Sequence, residues 1–108
     1  MSPLTPHSKG SSQNTCRLIF EIFGDRWTLR IIDALRNGEL RFNELQERLD
    51  INSATLTARL KRLTALKLIT RTKEGAGRLP VTYRLTTLGT ELLPIYDGIL
   101  KFGKKFLP

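Results

Sequence analysis

INSATLTARLKRLTALKLI, residues 51–69, is the stretch on which the reading of the whole chain turns. Asn52 and Ser53 are residue types that cap a helix by accepting backbone N–H bonds. From there Leu56, Leu60, Leu63 and Leu66 return every three or four residues, the spacing that lines one helix face with apolar side chains. The other face carries Thr57, Ala58, Lys61 and Arg62, small and basic where an ordinary solvated face mixes charges of both signs. Such a face suits the floor of a DNA groove. The flanking sequence tells whether the fold delivers it there.

Upstream, three more helices are predicted. One runs from about Thr15 to Phe23, with Leu18, Ile19, Ile22 and Phe23 as its apolar stripe. Gly24 interrupts it, and Asp25 caps a second helix carrying Trp27, Leu29, Ile31, Ile32 and Leu35. Asn37 and Gly38 end that helix, because both tolerate the left-handed backbone found at helix ends. A short third helix spans residues 41–49 with Phe42, Leu45 and Leu49 inward, and residues 50–52 form a tight turn into the leucine helix.

Downstream the periodicity changes. Residues 69–73 and 81–85 alternate apolar or β-branched residues with charges, as strands do, and the segment 74–80, with two glycines and a proline, suits the loop of a hairpin. A long helical pattern then fills residues 88–107, kinked at Pro94, where an intrahelical hydrogen bond is lost. Two short helices joined by a tight turn and followed by a basic hairpin make an α+β fold, a winged helix-turn-helix with a two-stranded wing and a long C-terminal helix. The chain is expected to divide into a flexible N-terminal tail, residues 1–14, and this one domain, residues 15–108.

Charge points to a polyanionic partner. Eighteen Lys and Arg against ten Asp and Glu leave a net charge of +8 in 108 residues. Seven basic residues and one acidic residue, Glu74, lie between Arg59 and Arg78, so the excess is concentrated where the helix and wing would meet a groove. The major groove of B-DNA, about 12 Å wide, admits one helix, and small residues at its start permit close approach. Ala54, Thr55, Thr57 and Ala58 are such residues. Arg59, Lys61 and Arg62 then reach guanine edges or phosphates, and Lys73 and Arg78 flank the wing tip, where Arg78 suits the minor groove.

Several separated motifs resemble the HxlR-type winged helix regulators, a bacterial and archaeal group related to the MarR regulators. Gly24-Asp25-Arg26-Trp27-Thr28-Leu29 with Ile31-Ile32 is similar to that family's opening motif, and Arg41-Phe42-Asn43-Glu44-Leu45 to its third-helix signature. Leu56-Thr57-Ala58-Arg59-Leu60 with Leu63 and Leu68-Ile69 follows its recognition helix. Tyr83-Arg84-Leu85-Thr86-Thr87-Leu88-Gly89, with Pro94 in register, resembles its return strand and last helix. The resemblance covers about residues 15–106. It departs at Lys67, where the family often has glycine, and after Cys16, where Arg17 replaces a common proline.

The resemblance implies a homodimeric transcription regulator, paired through its first and last helices and bound to a pseudo-palindromic site on double-stranded DNA. Ile95, Tyr96, Ile99, Leu100, Phe102 and Phe106 independently give the last helix more apolar surface than one small domain covers. Leu18, Ile19, Leu92, Ile95, Tyr96, Ile99, Phe102 and Phe106 are the expected dimer contacts. Arg41, Asn43 and Ser53 join Ala54, Thr55, Thr57, Ala58, Arg59, Lys61, Arg62, Lys73 and Arg78 as the expected DNA contacts. Cys16 has two readings. In some relatives the N-terminal cysteine senses oxidants or electrophiles, and Arg17 would favour its thiolate; the alternative is a buried, inert thiol. A small apolar effector between the dimer-forming helices is compatible with the pattern, but no residue establishes one.

Other function classes find little support. His7, the sole histidine, lies in the tail, so no Ser-His-Asp or Cys-His set forms in the core, and no metal-ligand cluster, GxxxxGK[ST] or GxGxxG motif is present. No enzyme activity, metal or cofactor is expected. Residues 1–14 lack the apolar run of a signal peptide, and no segment nears the roughly 20 apolar residues of a membrane span. One cysteine and no leader fit a cytoplasmic protein. The remaining alternative is a winged-helix interaction module that binds a protein partner or nucleic acid without sequence preference.

Overall fold

The leucine stripe of residues 56–68 organises the core. In the computed structural model, which describes residues 9–73 and 81–108, the helices are α1 (Lys9–Phe23), α2 (Thr28–Ala34), α3 (Phe42–Leu49), α4 (Ser53–Ala65), α5 (Thr87–Thr90) and α6 (Leu93–Phe106). The strands are β1 (Leu40–Arg41), β2 (Ile69–Lys73) and β3 (Val81–Leu85). Leu56, Leu60 and Leu63 of α4 are buried against Ile31, Ile32 and Leu35 from the second helix and its cap, Leu45 and Leu49 of α3, and Ile51 from the turn. Burying each such side chain contributes about 1.5–3 kcal/mol, so this contact holds the helix pair as a rigid unit.

Local chemistry sets the boundaries of α4. Asn52 Oδ1 accepts the N–H groups of Ala54 at 2.8 Å and Thr55 at 3.1 Å, satisfying donors that the first turn leaves free. At the other end Lys67 adopts φ +64°, in the left-handed region. That turn lets the Lys67 N–H reach the Thr64 carbonyl and the Leu68 N–H reach the Leu63 carbonyl, both at 3.0 Å. The chain leaves directly into β2 with Leu68 and Ile69 buried. Asp50, also left-handed at φ +54°, makes the corresponding break between α3 and α4.

The sheet is antiparallel in the order β1-β3-β2, with Arg71 opposite Tyr83 and Thr72 opposite Thr82. The wing therefore has a third, two-residue strand, β1, which pairs Leu40 with Tyr83 and Arg41 with Thr82. Thr82 donates to Glu39 at 3.1 Å just before that strand. Two residues are too few to show alternation in a sequence.

Two helical boundaries also differ from expectation. The first helix starts at Lys9, six residues before Thr15, since no proline interrupts the polar stretch 9–14. Residues 1–8 of the expected tail lie outside the described residues. The long last helix is two helices: α5 is one turn capped by the Thr86 hydroxyl on the Gly89 N–H, and Pro94 stands in the first turn of α6. Proline there opens a helix at no hydrogen-bond cost, so it marks a start and not a kink. Gly89 is required at the corner, because a Cβ would lie 2.0 Å from the Leu68 carbonyl oxygen.

The outer helices are thinly covered. From Gln13 to Glu21 every residue of α1 is exposed, and α6 contains no buried residue. Among the described residues no helix is long and apolar enough to cross a membrane.

Candidate nucleic-acid interface

With its leucines fixed in the core, α4 turns a defined set of side chains outward. Ser53, Ala54, Thr57, Ala58 and Lys61 are exposed, and Thr55 is half-buried beside them. Arg41 and Asn43 are exposed at the start of α3, next to this face in the helix-turn-helix, and the Arg41 N–H is capped by Glu44 at 2.8 Å. Lys73 is exposed at the end of β2. Arg78 lies outside the described residues.

Arg59 and Arg62 are engaged elsewhere. Both turn back towards the corner between α1 and α2, where Asp25 accepts from Arg59 Nε at 2.5 Å and from Arg62 Nη2 at 3.3 Å. Arg62 Nη2 also donates to the Ile22 carbonyl at 3.1 Å, and Arg62 Nε is enclosed without a partner among the described residues. Thus the two arginines expected at the DNA face point inward, and Lys61 is the α4 cation left without a partner among the described residues.

Asp25 was expected to cap the second helix, and it does so in addition to holding the arginines. Its Oδ1 accepts the N–H groups of Trp27 at 2.9 Å and Thr28 at 2.8 Å, while Oδ2 takes the hydroxyl of fully buried Thr28 at 3.1 Å. Burial pushes the carboxyl up. The N–H groups of Thr28 and Trp27, the Thr28 hydroxyl and the Arg59 guanidinium outweigh that and hold it below its ordinary value. The same corner displays Trp27 with Arg26 and Arg30 guanidinium carbons 4.7 and 5.0 Å from its ring centroid.

A groove of about 570 Å³ separates α4 from the sheet, lined by Phe42, Thr57, Leu60, Lys61, Thr64, Ala65, Arg71 and Tyr83. Arg71 is exposed on β2 opposite Tyr83, so a second cation faces Lys61 across an apolar floor. The sequence reading missed Arg71. The signal was present, since alternation in ITRTK puts residues 69, 71 and 73 on one face of the strand.

The expected dimer contacts fall into two groups. Leu18, Ile19, Ile95, Ile99, Phe102 and Phe106 are exposed, whereas Leu92 is half-buried and packs on the domain's own core, and Tyr96 is half-buried. Ile95, Ile99, Phe102 and Phe106 form one stripe along α6, with the two phenylalanine rings 5.0 Å apart. Phe20, 71% exposed, extends the apolar surface beyond the expected residues, and Leu100, expected within the apolar surface of the last helix, is exposed as well. Cys16 is exposed on α1, which removes the buried-thiol reading.

Known proteins share this fold. An uncharacterized HTH-type transcriptional regulator of Mycobacterium tuberculosis is 34% identical over 88 residues, covering 82% of this chain and 56% of that protein. The chain therefore spans little more than half the length of that curated relative. A structure assigned to the MarR family of transcriptional regulators from Porphyromonas gingivalis superposes with a TM-score of 0.77 at 31% identity, covering 98% of this chain and all of the other. The reduced form of the transcriptional regulator YodB from Bacillus subtilis superposes with a TM-score of 0.76 at 29% identity, covering 86% and 92% of the two chains. With residues 22–108 matching the family model as well, the chain belongs to the HxlR-like helix-turn-helix family.

Proposed function

We propose that the protein is a sequence-specific, DNA-binding transcription regulator that acts as a homodimer. The observation that carries this is the outward face of α4: small and hydroxyl side chains with Lys61, set beside the basic wing and backed by a rigid leucine core. Ser53, Ala54, Thr55, Thr57 and Ala58 enter the major groove, Lys61 reaches base edges or phosphates, and Arg41, Asn43, Lys73 and Arg78 hold the backbone on either side. Arg71 joins them across the groove. Exposed apolar stripes on α1 and α6 support pairing of two copies, which would present two α4 helices to half-sites about one helical turn apart.

Selection of bound DNA from a random pool tests the reading. A pseudo-palindromic winner whose affinity falls steeply with salt is the expected result. Weak binding without sequence preference would leave the basic face as a general electrostatic surface and overturn it.

The exposure of Cys16 supports a regulatory thiol, in keeping with the matched YodB, which is described in a reduced form. Treatment with diamide or a quinone is expected to change operator affinity in the wild-type protein and to have no effect in Cys16→Ser. An equal response in both proteins would exclude the thiol.

A further inference from the structure

We propose that Asp25 is a positioning residue for DNA recognition: its carboxylate fixes α4 to the corner between α1 and α2, and Arg59 and Arg62 set the angle of that helix instead of reading bases. The proposal rests on the reading of α4 as the recognition helix.

Asp25 receives five donors from two directions. Oδ1 is occupied by backbone N–H groups at the start of α2, so the carboxylate cannot swing away from that corner. Oδ2 is occupied by Arg59 and Arg62, which stand three residues apart and nearly one turn apart on the same side of α4. Two attachments a turn apart restrain rotation of the helix about its axis as well as its distance, which one would not. Arg62 adds a third point through the Ile22 carbonyl at the end of α1. The leucines on the neighbouring face supply contact without direction, because apolar burial is not directional. Charge-assisted bonds between partly buried groups supply the direction.

A basic helix at a DNA face would ordinarily leave its arginines free. Here a single carboxylate holds two of the three α4 cations, and the guanidinium of Arg62 is turned far enough inward to enclose its Nε. The arrangement costs DNA contacts, and a fixed helix angle is the return.

Asp25→Asn isolates the clamp. The amide keeps one carbonyl oxygen for the Trp27 and Thr28 N–H groups, so the start of α2 stays capped, but it presents an NH₂ group to two guanidinium groups. With operator DNA selected as above, Asp25→Asn is expected to lower specific affinity by about tenfold or more, roughly the loss of one base-pair contact. Affinity for unrelated DNA should hold or rise, since two cations are released. Arg62→Ala should lose specific affinity with an unchanged salt slope, whereas Lys61→Ala should reduce the slope by about 0.9.

Wild-type specificity in Asp25→Asn would overturn the proposal. So would a reduced salt slope in Arg62→Ala, which would make Arg62 a phosphate contact. Should Asp25→Asn fail to fold, Arg59→Ala and Arg62→Ala cut the same clamp from the α4 side, and retained specificity in both overturns it equally. Residual dipolar couplings of DNA-free Asp25→Asn separate this outcome from failure of the DNA reading. A reoriented α4 is expected even if no operator is selected, and couplings identical to wild type would refute the clamp.

Discussion

Lys67 shows how one side chain can oppose the conformation its position demands. It sits in the left-handed region at φ +64°, where a Cβ crowds the backbone, and it is held there by the two hydrogen bonds that close α4. Its own carbonyl also accepts the Thr86 hydroxyl at 2.7 Å, which joins the end of α4 to the start of α5. Lys67→Gly is therefore expected to stabilise the domain by about 0.5–1 kcal/mol, after the greater freedom of glycine in the unfolded chain is subtracted. Thermal unfolding should show a rise of a few degrees. Lys67→Ala keeps the Cβ and should give no gain; an equal gain would trace the effect to charge and not to backbone conformation.

At the scale of elements, the partition of basic residues between α4 and the wing governs how binding responds to salt. Lys61 and Arg71 face one groove from opposite sides, so each should neutralise one phosphate if the backbone runs between them. Lys61→Ala and Arg71→Ala are each expected to reduce the salt slope of operator binding by about 0.9, and the double variant by about twice that. A slope unaltered by Arg71→Ala would place the phosphate path outside the groove. The helix pair was legible because leucine spacing and the Asn52 cap are local signals. Where legibility ended, the competing influence was tertiary. No sequence period distinguishes Arg59 and Arg62 from Lys61, and only the position of Asp25 in space turns two of the three inward. The β1 strand exists because Tyr83 and Thr82 offer it an edge, which two residues cannot announce. Pro94 stands out in the sequence, but kinking and starting a helix leave the same mark there, and the i→i−3 bonds of Glu91 and Leu92 that end α5 decide between them.

At the scale of the whole molecule, α6 is anchored to the domain by little besides its first turn and one ion pair. Arg36, beyond the end of α2, donates to both oxygens of Asp97 at 2.6 and 3.2 Å and to Asp33 at 2.8 Å. The Arg36 guanidinium beside it holds the Asp97 carboxyl below its ordinary value. A carboxyl lowered in the fold contributes stability that is present above its unfolded pKa of about 3.9 and is lost as the pH falls through the folded value. Because both groups are exposed, the contribution is small. Asp97→Asn is expected to lower stability slightly at neutral pH, with the difference from wild type vanishing as the pH falls below about 4, so that the acid limb is flatter in the variant. An unchanged acid limb would show that the pair does not persist in solution.

The remainder of α6 carries Ile95, Ile99, Phe102 and Phe106 into solvent, more than half exposed each, and Leu18, Ile19 and Phe20 of α1 are similarly bare. In the proposed homodimer these stripes are the surface that a second copy covers, each copy offering the same two stripes about the two-fold axis. Ile99 lies in the middle of the α6 stripe, is 54% exposed and is not a member of the domain's buried core. Ile99→Glu should therefore leave the domain folded while setting two like charges against each other at the proposed two-fold contact. Light scattering is expected to report a monomer, with thermal stability of the remaining fold little changed. Affinity for a two-half-site operator should fall by about two orders of magnitude or more, because the second half-site is then no longer held by linkage to the first. Binding to a single half-site should be unaltered, since α4 and the wing are untouched. A variant that remains dimeric with full operator affinity would move the pairing surface off α6, and α1 alone would then have to supply it.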